Sequence, residues 1–261
     1  MKIDQKKLRE LLNRKGSVFS PDLLRREENV FFVGGNLPER ETLETLYESH
    51  YQSHAALFHL SFGAMENFSN GEALARMIKK NFHAHLLGRL DYPVPSRLIE
   101  RAYAAGVDII DIALPAGEGA EREKWDETVN SARAVFPRWS VASAVVAGEE
   151  SPRLTMAVID TLLALDVVPL LTLSERAGRF KAEEIAGVFS HLGSGLRRRK
   201  AGIKPLLPLI YLSTPLVPAS APGVLRGFID VIDDRRLLAA SDLRRVLRVK
   251  EVEESFESAG L

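Results

Sequence analysis

The 261-residue chain contains no cysteine. That excludes disulfides, thiolate zinc sites and cysteine-ligated iron–sulfur clusters together. It also fits a cytoplasmic protein. The N-terminus, MKIDQKKLRELLNRKG, is charged and helical in pattern, without the apolar core of a signal peptide. A charge of one sign is missing too, since 35 Lys plus Arg balance 35 Asp plus Glu. A nucleic-acid partner, which calls for a basic face, is not expected. One basic run, LRRRK at 196–200, falls where a helix is expected to end, and cations there complement the helix dipole. Gly-x-Ser-x-Gly, Walker, His-Glu-x-x-His and calcium-loop motifs are all absent, so nucleophilic hydrolysis has no support.

Long apolar runs are scarce. The exception is 205–225, PLLPLIYLSTPLVPASAPGVL, which carries no charge over 21 positions. That length would span a bilayer. Five prolines (205, 208, 215, 218 and 222) argue against a spanning helix. A buried strand followed by an irregular apolar segment is expected instead. The alternative is a docking surface for a membrane, a lipid-like ligand, a protein partner or a second copy of the chain.

What is present is alternation. Short apolar runs at 29–34, 55–62, 83–90, 107–114, 140–147 and 167–173 read as strands buried on both faces. Helical patterns at 40–53, 71–80, 96–105, 121–135, 151–165 and 181–199 lie between them. Gly106 is a helix stop, and Ser151-Pro152 is a cap followed by a first-turn proline. This period implies parallel strands with right-handed crossovers. The expected fold is a parallel β/α barrel, or a partial (β/α)6 barrel of the TIM type. A helical lead-in at 1–27 and an apolar-plus-helical cap at 201–261 would flank a barrel at 28–200. Gly34-Gly35-Asn36-Leu37-Pro38 lacks the third glycine of a dinucleotide loop. A doubly wound flavodoxin-like sheet is the alternative.

Barrel sites form at the carboxyl ends of strands. The polar residues there are Asn36, Glu39 and Arg40; Glu66 and Asn67; Arg89 and Asp91; Asp111 and Glu118; Glu149 and Glu150; and Ser174, Glu175 and Arg176. Glu149, Asp91 and Glu118 are the candidate acid–base groups. Arg89, Asp111, Gly148, Glu149, Ser174 and Arg176 are the candidate ligand contacts, with arginine suited to a carboxylate or phosphate. Five of the six histidines fall between 50 and 85, and His83 and His85 share a strand face near His59. Both sit at the start of their strand, away from the usual site, with no carboxylate beside them in sequence. No metal site is therefore assigned.

The stretches HLLGRLDYPVPSRLIERAYAAGVDIIDIALP and ARAVFPRWSVASAVVAGEESPRLTMAVIDTLLALDVVPLLTLSE, within 83–175, resemble the back half of radical SAM enzymes of the biotin-synthase-like branch. Positions 141–151 are similar to that family's Ser-x-x-hydrophobic-hydrophobic-x-Gly-x-Glu-(Ser/Thr) strand and turn. Positions 104–111 are similar to its preceding helix–AlaGlyVal–Asp unit. The resemblance covers about a third of the chain. It implies a partial barrel, with Gly148 and Glu149 near an adenosine moiety and Asp111 at a polar fourth-strand position. It departs from the family where three cysteines should follow the first strand, because ENVFFV runs into GGNLPERETL. The loop FGAMEN also lacks a Gly-Gly-Glu motif. The expectation is a cluster-less accessory or non-radical subunit in a cofactor or metabolite pathway, its cofactor unassigned. The alternatives are a barrel lyase or transferase acting on a small anionic metabolite, and a protein that binds adenosylmethionine or a corrinoid without radical chemistry.

Overall fold

The computed structural model describes residues 1–13, 22–115, 119–218, 233 and 235–248. The elements run in this order: β1 (Lys2–Ile3), α1 (Gln5–Asn13), β2 (Leu24–Glu27), β3 (Val30–Val33), α2 (Glu39–Gln52), β4 (Leu57–Ser61), α3 (Phe68–Asn81), β5 (His85–Leu90), α4 (Ser96–Ala104), β6 (Ile109–Ile112), α5 (Ala120–Val135), β7 (Val141–Ala147), α6 (Pro152–Ala164), β8 (Val168–Leu173), α7 (Ala182–Arg198), α8 (Leu207–Ser213) and β9 (Leu216–Val217). A last helix, α9, spans 235–248.

Seven strands form one sheet in the order β2-β3-β4-β5-β6-β7-β8. The six from β3 to β8 are parallel neighbours, and β2 pairs antiparallel with β3. Parallel strands laid down in chain order, with crossovers of one hand, put every helix on the same face. The sheet curls into a half-barrel flanked by helices, and its edge strands β2 and β8 do not meet. A flavodoxin-like order would place a later strand beside an earlier one, and none does so here.

Register fixes the two faces. Phe32, His59, Leu87 and Ile109 are in register, as are Ser61, Arg89, Asp111 and Ala142. In-register residues of parallel strands point the same way, and that direction repeats every second residue. This face is the open one, because Val146 and Thr172 on it are exposed. The opposite face carries Phe58, Leu86, Ile110, Ile112, Val145 and Leu171, all buried beneath the helices. Gly88 lies on that face, where a Cβ would come within 2.8 Å of Phe62 and 3.1 Å of Val107.

Local signals hold at the helix ends. Ser151 Oγ accepts from the Leu154 amide at 3.3 Å, and Pro152 opens α6. Gly106 ends α4 at φ +114°, with its amide donating to the Tyr103 carbonyl at 3.0 Å.

Two regions differ from the sequence reading. The lead-in is not helical throughout, because β2 adds a charged edge strand, Leu-Arg-Arg-Glu. The apolar run does not open as a strand. Pro205 sits second in a 3-10 turn that Lys204 opens, and Pro208 sits in the first turn of α8, positions where a missing amide costs nothing. Leu206, Leu209, Ile210 and Leu216 are buried in the chain's own core, and β9 pairs antiparallel with β1. Positions 219–225 lie outside the described residues. Among the described residues, no helix is long and apolar enough to cross a membrane.

Across the amino ends of the strands lies α9. Arg245 is buried there, donating to the carbonyls of Gly106 and Val107 and to Asp108 Oδ1 at 2.8 Å. Asp108 Oδ2 also meets Lys79 Nζ at 2.9 Å and accepts from the Leu86 amide. Burial pushes the Asp108 carboxyl up, but Lys79 and Arg245 outweigh it and hold the group below the usual carboxylate range.

Candidate functional site

The residues read from the strand ends fall into two groups. The first sits on the open face across β5 and β6. Arg89 and Asp111 are in register, so their side chains rise from adjacent strands in the same direction. Arg89 Nη1 donates to Asp111 Oδ2 at 3.1 Å, and its Nε donates to Asp91 Oδ1 at 2.7 Å. Exposure falls along this relay, from 45% at the Asp91 side chain to 26% at Arg89 and 1% at Asp111. The buried Asp111 Oδ1 has no partner in hydrogen-bonding geometry, although the nearby Ala144 amide on β7 pulls the carboxyl down. Burial raises the Asp111 carboxyl above its ordinary value, with Arg89 opposing and Asp91 reinforcing. Burial disfavours the Arg89 charge, yet the two carboxylates outweigh it and raise that group.

Around the relay stand two residues that strand-end reasoning did not select. His59 is buried on the same face of β4, with its ring 5.3 Å from that of Phe32. Burial first, and the Arg89 charge second, lower its pKa to about 3. It is therefore a neutral imidazole at any working pH. Tyr92 follows Asp91, and its buried hydroxyl has no hydrogen-bond partner. Burial, reinforced by Asp91 and Glu66, pushes it up to about 12. The signal for His59 was its register with Phe32 and Leu87, visible once the strands are aligned. Tyr92 carries no sequence signal beyond its place after Asp91.

The charge count decides what this group can hold. One guanidinium faces two carboxylates, so the relay is one negative charge in surplus when Asp111 is ionised. Arg89 is already committed and is not a free clamp for an anion. The surplus and the orphaned oxygen call for hydrogen-bond donors or a cation.

The second group lies at the ends of β7 and β8. Gly148 turns at φ +96°, and a Cβ there would come within 2.5 Å of the Ala177 backbone. Its glycine is thus required by packing of one loop on the next. Glu149 Oε2 meets Arg176 Nη1 at 3.3 Å, and Arg179 donates to the Glu149 carbonyl at 3.1 Å. Ser174 Oγ accepts from the Arg176 amide at 2.8 Å, capping a 3-10 turn. These residues clasp the two loops together at the surface. Glu118 lies outside the described residues.

Elsewhere on the rim, Asn67 Nδ2 donates to Asn36 Oδ1 at 2.8 Å, and Asn36 Nδ2 donates to Asp22 Oδ1 at 3.0 Å. Gly35 packs against the end of β4, where a Cβ would lie 2.3 Å from the Ser61 carbonyl oxygen. Arg40 pairs with Glu44 along α2, and Glu66 is exposed. His83 lies at the opposite end of the strands, lining a cleft with His50 and His54. No cluster of three or more metal-ligating side chains occurs among the described residues.

A resident [4Fe–4S] cluster does not fit this chain, because no thiolate exists to hold it. No protein-family model matches the chain, and no curated protein is detectably similar to it in sequence. The fold defines an open β/α half-barrel with an acidic relay on its concave face.

Proposed function

We propose that the chain is a small-molecule-binding half-barrel whose ligand brings a positive charge and hydroxyl or amine donors to the Asp91–Arg89–Asp111 relay. The observation that carries this is the buried Asp111 Oδ1 without a partner, beside a guanidinium outnumbered by carboxylates. Adenosylmethionine has that chemistry in its sulfonium, its ammonium and its ribose hydroxyls. Binding it without a cluster would make the protein an accessory subunit rather than a radical enzyme. The six parallel strands in chain order, the arrangement the family resemblance implies, support this reading.

A second reading is a barrel lyase or transferase. It draws on Asp111, whose buried carboxyl is raised above its ordinary value, the direction that favours acid–base use. An anionic substrate would then have to meet the exposed rim arginines, Arg176 with its single carboxylate partner Glu149 and Arg179 on backbone carbonyls, since Arg89 is committed to two carboxylates.

A thermal-shift panel sorted by ligand charge tests both readings. Cationic, hydroxyl-bearing metabolites are expected to raise the melting temperature in wild type and not in Asp91→Asn. Stabilisation by anionic metabolites alone, retained in Asp91→Asn and lost in Arg176→Gln, would transfer support to the second reading.

A further inference from the structure

The face opposite the candidate site has its own composition. Strands point their carboxyl ends toward the relay, and the helices run back, so helix carboxyl ends collect at the amino ends of the strands. There α7 finishes with Arg197, Arg198, Arg199 and Lys200, all exposed. Lys80 near the end of α3 and Arg133 near the end of α5 are exposed as well. Lys204 Nζ, just beyond α7, meets Asp233 at 3.9 Å and ties this run to the start of α9.

The helix α9 lies on this face by a narrow edge. Leu238, Ser241, Arg245 and Arg248 turn inward. The outward side carries large apolar residues at high exposure: Leu243 61%, Val246 53% and Leu247 53%, with Leu237 at 43% beside them. At 100° per residue, Ala239, Ala240, Leu243, Val246 and Leu247 form one stripe. Arg235 and Arg244 flank it, and Arg236 falls within its arc at the amino end of α9, all three exposed. Among the described residues, the carboxylates packed around α9 are paired. Asp108 and Asp242 pair with Lys79 and Arg245, Glu100 with Arg248, and Asp166 with Arg138. Among the described residues, the arginines around the stripe have no ion-pair partner. Among the described residues, a chain of zero net charge therefore carries a local basic surplus around an exposed apolar helix.

We propose that this face docks on an anionic membrane surface, with α9 lying in the interface plane. A basic amphipathic helix buries its apolar stripe at the headgroup boundary while its arginines meet anionic headgroups. A second copy of the chain is a poor occupant, because symmetric pairing of α9 would bring like-charged arginines together. Nucleic acid would satisfy the arginines but leave Leu243 and Leu247 in water. Docked this way, the open concave face and its relay point to solvent.

Co-sedimentation of the full chain with vesicles tests the proposal. One set is phosphatidylcholine alone, and the other contains phosphatidylserine. Binding is expected only to the second set and should weaken with added salt. Leu243→Glu with Leu247→Glu should abolish it without lowering the melting temperature, since both side chains are exposed. Arg236→Glu with Arg244→Glu should weaken it by roughly tenfold or more. Failure to sediment with anionic vesicles, or equal binding to both sets, would overturn the proposal. So would binding that survives the leucine changes. Binding of polyglutamate but not of vesicles would assign the face to an acidic protein. A dimer that Leu243→Glu dissociates would assign it to a second copy. Either result refutes the membrane.

Discussion

Replacing Asp108 with Asn strips two buried cations of their buried partner at once and leaves them only the half-exposed Asp242, 3.7 Å from Lys79 and 2.7 Å from Arg245. Lys79 and Arg245 have side chains only 12% and 10% exposed, and Asp108 itself is 5% exposed. Asn keeps the shape and can still accept from the Leu86 amide, but it brings no charge. Breaking a buried pair costs about 3–5 kcal/mol, and the remaining Asp242 contact places this loss at the low end of that range. For a chain of this size that corresponds to a fall in Tm of about 10 °C. The pH dependence sharpens the test. The folded Asp108 carboxyl is held below its ordinary value, so its contribution is fully present above the unfolded pKa and fades as pH falls through the folded one. Urea unfolding at pH 7 should therefore show the largest gap between wild type and Asp108→Asn, and the gap should close in strong acid. A loss under about 1 kcal/mol at pH 7, or a gap independent of pH, would refute the view that this network pins α9 to the barrel.

Three further outcomes follow from neighbouring geometry. Arg248→Gln breaks a pair with Glu100 whose side chains are 33% and 39% exposed, so unfolding should show a loss below about 1 kcal/mol. His59 is neutral when folded and protonates near 6.5 when unfolded, so stability should fall between pH 6.5 and about 3. The slope approaches about 1.4 kcal/mol per pH unit from this group, and His59→Leu should remove it in acid unfolding titrations. Gly148→Ala meets both a positive φ and the Ala177 backbone, and denaturant melts should show a loss of about 1–3 kcal/mol.

The β/α period was legible because each unit carries its own local punctuation. Gly106 stops α4, Ser151 caps α6, and the apolar strands are buried on both faces except where the open face exposes Val146 and Thr172. The edge strand β2 was not legible, since three of its four residues are charged. Its charges are managed by contact: Arg25 reaches Glu27 at 2.7 Å and lies over the Phe32 ring, and Arg26 lies over Phe31. The apolar 205–225 run misled because prolines that exclude a long helix are well suited to starting short ones.

At the site, Arg89, Asp91 and Asp111 were found by the strand-end rule. Their mutual neutralisation was not, because it depends on register between β5 and β6. Treating Arg89 as a clamp for anions follows from its type alone; its contacts with Asp91 and Asp111 come from register. Glu149 and Arg176 were likewise selected singly, and the turn at Gly148 closes them on each other. The basic run at 196–200 reads as a dipole cap in isolation. Its meaning changes once α9 is seen on the same side of the barrel.

Titration calorimetry of wild type and Asp91→Asn with adenosylmethionine and with adenosine addresses the central claim most directly. Asp91 is exposed, so the change should leave the fold intact. The relay account predicts saturable binding of adenosylmethionine by wild type, weaker binding of adenosine, and a loss of roughly tenfold or more for adenosylmethionine in Asp91→Asn. Equal affinity for both compounds, or an affinity unchanged by Asp91→Asn, would contradict it.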